Sequence, residues 1–155
     1  MRKLVTLLIC VLSAYQMNAQ EVSIMDFCYI DHSEDGTLLE TFSDDTMVAT
    51  LIDKGFLLSS STSFAGEGAG GYTTIFTERI LEYPETGTTV TICQGPCEIK
   101  FKSTDTALKF VNYALRTGLF YQDEEGTCYP KFSVIFGGES FWQHNDSVRF
   151  SISVP

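Results

Sequence analysis

The chain has 155 residues, with 10 Lys and Arg against 20 Asp and Glu, a formal net charge of −10. Such a surface repels nucleic acid and anionic lipid, because attraction to phosphate needs clustered Lys and Arg that this composition does not supply. The length suits one domain with a real core and is short for two.

In chain order, Arg2 and Lys3 precede an apolar run from Leu4 to about Ala14, and a short polar stretch ends at Ala19. Basic, apolar and small-residue regions in that order predict a secretory signal peptide over residues 1–19, cleaved after Ala19, and a single domain over 20–155. The run is too short for a membrane span, and no other segment is long or apolar enough. Cys10 follows Ile9, where a lipoprotein signal wants a small residue. The tail "QMNAQ" resembles the leaders of Gram-negative envelope proteins, a resemblance that implies a periplasmic or extracellular location. Cleavage would leave 8 basic and 20 acidic residues, a net charge of −12.

After the leader, Ile24 to Ile30 reads as a strand and "DHSEDG" as an acidic turn. "FSDDTMVATLIDKGF" reads as a helix capped by Ser43 or Asp44, with Lys54 in its last turn and Gly55 closing it. Met47, Val48, Leu51 and Ile52 make its apolar stripe. "FLLSSSTSF" is a strand and "AGEGAGG" a loop. "YTTIFTERILEY" is assigned to strand for its threonines, although Tyr72, Ile75, Phe76, Ile80 and Tyr83 also fit a helical face. "TTVTICQGPCEIKFK" reads as a hairpin turning at Gln94-Gly95-Pro96, with Cys93 opposite Cys97. A second helix follows, capped by Ser103 or Thr104, lined by Ala107, Leu108, Val111, Ala114 and Leu115, and closed by Gly118. "QDEEGTCYP" is an acidic loop, and "KFSVIF" and "SVRFSISV" are strands around "GGESFWQHND".

These elements predict an α+β domain, a mainly antiparallel sheet with two helices packed on one face. Ser43-Asp44-Asp45-Thr46-Met47 and Ser103-Thr104-Asp105-Thr106-Ala107 share the pattern Ser-x-Asp-Thr-apolar. The repeat suggests two similar strand–helix–strand–strand halves, although any capped helix draws on these residue types.

Four cysteines remain after the leader: Cys28, Cys93, Cys97 and Cys128. An even count in a small exported chain reads as disulfides, here Cys93–Cys97 and Cys28–Cys128. "CQGPC" resembles thioredoxin's Cys-Gly-Pro-Cys but has one more residue between the thiols, and its β-branched flank offers no helix to activate the first. His32 and His144 fall at no zinc-ligand spacing, and no metal or cofactor is expected. Gly66 to Gly71 contains G-x-G-x-x-G, but β-branched residues follow where a phosphate site needs a helix. In "GESFW", Trp142 stands where a nucleophile elbow needs Gly, so Ser140 is a poor nucleophile candidate. Asp45-Thr46-Met47, Asp105-Thr106-Ala107 and Asp146-Ser147-Val148 resemble an O-glycosylation pattern of Gram-negative envelopes. The first two are equally what helix caps use.

Phe141 and Trp142 are adjacent, so on a strand they point to opposite faces, one to the core and the other to solvent. Exposed aromatics beside acids are typical protein anchors. The candidate partner-binding residues are therefore Phe141, Trp142, His144, Asp123, Glu124 and Glu125. The reading they support is a small, acidic, exported protein-binding module without catalysis, its partner another protein and by charge a basic one. Envelope inhibitors and immunity proteins are similar to it in this profile. Two other classes stay open. One is a small envelope enzyme, a hydrolase using His144 or His32 or a thiol–disulfide protein using Cys93. The other is a carbohydrate-contacting module with Trp142 and tyrosines as stacking platforms.

Overall fold

The computed structural model describes residues 21–30, 43–67, 71–131 and 134–151. The predicted leader, the acidic turn with His32 and residues 68–70 of the glycine-rich loop lie outside them.

A short 3-10 turn, Ile24–Asp26, replaces the first half of the expected strand. Asp26 causes this: its carboxylate accepts from the Ser23 N–H at 2.7 Å and takes Lys54 Nζ at 2.7 Å, so the chain bends before β1, Cys28–Ile30. Helix α1, Asp44–Asp53, starts where Ser43 Oγ accepts from the Thr46 N–H at 3.3 Å. It ends in a Schellman motif: Gly55, at φ 99°, donates to the Ile52 carbonyl and Phe56 donates to that of Leu51. Lys54 caps this end instead of lying within the last turn, and Ile52 stays exposed while Met47 and Leu51 are buried.

Strands β2, Leu57–Glu67, and β3, Thr73–Tyr83, form a long hairpin, so the glycine-rich stretch is followed by a strand and the phosphate-loop context is absent. Strands β4, Thr88–Ile92, and β5, Pro96–Lys100, follow. Helix α2, Thr104–Arg116, is capped by Ser103 and buries Ala107, Phe110, Val111 and Ala114. Phe110 takes the place expected of Leu108, which is exposed. The chain finishes with β6, Phe120–Gln122; β7, Cys128–Pro130; β8, Val134–Phe136; β9, Ser140–His144; and β10, Ser147–Ser151.

Eight strands form one antiparallel sheet in the order β2-β3-β4-β5-β10-β9-β7-β6, and β1 pairs with β8 in a separate two-stranded sheet. The architecture is the α+β fold expected. In chain order each helix follows a strand and leads into at least two more, β1-α1-β2-β3 and β5-α2-β6-β7. Helix α1 leads into β2 to β5, helix α2 leads into β6, β7, β9 and β10, and the two sets meet at the β5–β10 seam. Strand β8 leaves the sheet to pair with β1, where Cys28 faces Phe136.

Both helices, β1 and β8 cover one face. Phe141 is the centre of the packing there, fully buried, with Phe110, Phe120, Phe136 and Phe150 rings at 6.2, 5.3, 5.9 and 5.8 Å. Rings at these separations add edge-to-face attraction to area burial. Leu81, Val90, Ile92, Ile99 and Val148 continue the buried row along the sheet. No helix among the described residues is long and apolar enough to cross a membrane.

Candidate functional site

Alternation along each strand sends the residues next to these core positions to the opposite sheet face, which no described helix covers. On β9 this separates Phe141, buried, from Trp142, half-buried on the open face. Phe141 is therefore a core residue and drops out of the predicted binding set. Trp142 pairs with Arg149 on β10, and Arg149 Nε donates to Glu98 Oε1 at 3.1 Å on β5. The row thus runs from an aromatic edge into an ion pair.

Tyr121 and Tyr129 face each other across β6 and β7, with ring centroids 5.6 Å apart and planes 25° from parallel. Cys128 pairs with Phe141 on the core face, so Tyr129 falls on the open face diagonal to Trp142. Diagonal cross-strand neighbours lie roughly 7–8 Å apart, within reach of large rings. Tyr121 is 52% exposed. Sequence reasoning left these two tyrosines out of the site. Their signal was present: Tyr121 and Tyr129 are equidistant from Glu125, as the two arms of a hairpin require.

The acidic segment is the turn of that hairpin. Asp123 Oδ1 accepts from the N–H groups of Glu125 at 3.0 Å and Thr127 at 2.8 Å, so Asp123 shapes the turn. Glu124 and Glu125 project from it, exposed. Partial burial, and then the Asp123 carboxylate, push the Tyr129 phenol up from its usual value. His144 is exposed at the far end of β9. Ser140 and His144 share a strand face four residues apart, which is roughly 13 Å at a strand's rise, beyond any direct proton transfer. No group of three or more metal-capable side chains occurs among the described residues.

The CQGPC segment is built differently from the expected hairpin. Ile92 faces Pro96 and Thr91 faces Glu98, so Cys97 is the extra residue of a bulge and does not oppose Cys93. The turn is Cys93-Gln94-Gly95, with Gln94 at φ 57° and Gly95 at φ 119°. These left-handed conformations aim two successive N–H groups at one point, a small anion nest. Asp44, in the first turn of α1, fills it: Oδ2 accepts from Gln94 at 2.8 Å and Oδ1 from Gly95 at 2.7 Å. One carboxylate thereby ties the hairpin tip to the helix N-terminus.

All four cysteines among the described residues are free thiols, and the expected bridges Cys93–Cys97 and Cys28–Cys128 are not formed in this structure. Burial, and then Asp26, pushes Cys28 up to about 11. Burial, and then Cys93, does the same for Cys97, and burial with Asp123 for Cys128, each to about 11. Burial, Asp44 and Glu78 raise Cys93 as well. These shifts disfavour thiolates, the reverse of what a redox nucleophile needs. Ser147, in the third glycosylation pattern, is buried, and Thr46 and Thr106 bond the cap hydroxyls of Ser43 and Ser103 at 3.1 and 3.0 Å.

The fold and site together define an α+β protein whose eight-stranded sheet has one face packed and the other without a described helix over it, the latter carrying a cluster of aromatics beside an acidic turn. No family model matches the chain, and no similar curated protein or solved structure is found.

Proposed function

We propose that the chain is an exported, acidic protein-binding module that meets its partner on the open sheet face. The observation that carries this reading is the stacked Tyr121–Tyr129 pair diagonal to Trp142, on the face opposite the helices. Large rigid rings supply contact area at little entropic cost and dominate interface energetics. Glu124 and Glu125 form a charged rim beside them, which fits a partner with a basic surface and steers its approach. An inhibitor or immunity-type role against such a partner needs no catalytic group. Export belongs to this proposal, and with it oxidation of the thiols outside the cell.

The test is affinity for proteins of the envelope and extracellular fractions, measured with wild type, Trp142→Ala, Tyr129→Ala and a control, Lys109→Ala on α2. The reading expects a tenfold or greater loss for the first two variants, no change for the control, and association slowed by added salt. A bound protein that holds equally to Trp142→Ala and Tyr129→Ala would sink the assignment of this face. The same rings could stack on sugar, and a glycan array separates that second reading: saturable glycan binding lost in Tyr129→Ala would displace the protein partner.

A further inference from the structure

Strand β2 ends the sheet on one side, and among the described residues it pairs only with β3. It is eleven residues long, against three for β6 at the other edge. Unpaired edges invite another strand, and proteins guard them with short length, Lys, Pro or bulges. The β6 edge is short and runs into the acidic turn. On β2, the one irregularity lies between Leu58 and Ser60. From Ser60 to Gly66 the edge has no charge, no proline and no bulge.

The ribbon also outruns its support. Strand β4 pairs with β3 only from Arg79 to Tyr83, so among the described residues the outer half of the β2–β3 hairpin has no third strand. A two-stranded ribbon alone in water is marginal. This one nevertheless exposes Phe64 at 47% and Ile75 at 67%. The Phe76 ring lies over Gly66, where a Cβ would meet it at 2.6 Å, and stacks on Phe64 at 5.7 Å. The ribbon thus presents an uncharged Ser/Thr edge with exposed aromatic and aliphatic side chains beside it.

We infer that β2 is a self-association edge, its occupant the β2 strand of a second copy, antiparallel across a two-fold axis near Thr62. The self-complementary register of this neutral stretch selects the occupant. Two chains of net charge −10 repel over most of their surfaces, and this edge is a long neutral strip on which they can meet. With the axis at Thr62, Ser61 faces Ser63 of the second copy, Ser60 faces its Phe64, and Leu57 faces its Glu67. No like charges oppose one another. Ser and Thr pairs across such a seam exchange hydrogen bonds, and an aromatic over a small residue adds packing. A strongly basic partner gains nothing from a neutral strip, so this edge and the acidic face serve different partners. A two-fold axis perpendicular to the sheet sets both open faces on the same side, making a bivalent surface.

Sedimentation equilibrium of the mature chain across the micromolar range tests this, with Thr62→Lys and Thr62→Glu alongside. Wild type should reach twice the monomer mass, each variant alone should stay monomeric, and an equimolar mixture of the two should recover the dimer. Amide exchange in wild type, which needs no variant, should slow at Ser60 to Gly66 as concentration rises. A wild type that stays monomeric overturns the inference. So does a dimer indifferent to both substitutions, a mixture that fails to re-pair, or protection that does not change with concentration.

Discussion

Replacing Asp44 by Ala removes a side chain that joins the Cys93–Gly95 turn to helix α1. Two N–H···carboxylate bonds are lost, at 2.8 and 2.7 Å. A hydrogen bond to a charged group contributes about 1.5–3 kcal/mol net. Asp44 is half-buried, so water replaces part of the loss, and the low end of that range applies to each bond. The expected destabilisation is therefore about 3–4 kcal/mol, the two bonds at about 1.5 kcal/mol each and the helix N-terminus, which loses an anion worth a few tenths to about 1 kcal/mol. Asp44→Asn keeps one oxygen acceptor without the charge and should fall about halfway. Urea unfolding followed by the single tryptophan, Trp142, gives both numbers. Amide exchange supplies the local reading, because the Gln94 and Gly95 protons should speed up more than those of β4 and β5. A loss under about 0.5 kcal/mol in Asp44→Ala, or exchange at Gln94 and Gly95 unchanged, would refute the nest as a structural tie.

Phe141→Ala should cost about 3–5 kcal/mol, the range for a fully buried ring, while Trp142→Ala, one residue away on the open face, should cost much less. Thermal melts by circular dichroism compare them, and equal losses would contradict the assignment of faces. With thiols reduced, Cys28, Cys97 and Cys128 should alkylate slowly at pH 8 and about tenfold faster per pH unit toward their folded values near 11. Because folding raises these values above the unfolded thiol's roughly 8.5, their contribution to stability is full below that pH and lost as pH rises through the folded values. Stability that stays flat from neutral pH to pH 11 would exclude burial of protonated thiols.

The sequence alone determined both helices, their serine caps and the glycines that close them, because capping depends on residues a few positions apart. It also determined most of the strands and the opposition of Phe141 and Trp142, since a period of two needs no distant partner. What it could not determine was which of that pair faces the core. That choice depends on where α2 lies, and Phe110 of that helix packs on Phe141. Expecting Cys93 opposite Cys97 assumed a regular ladder. The tertiary structure shifted the register because Asp44, fifty residues earlier, holds Gln94 and Gly95 in the left-handed conformation and leaves Cys97 in a bulge. Ile24 to Asp26 looked like strand until Lys54 was in place to pair with Asp26. The tyrosine pair has a local signal in the even spacing of Tyr121 and Tyr129 about Glu125, whereas the long edge of β2 follows from strand order, which is set by contacts far apart in the chain and leaves no local pattern to read.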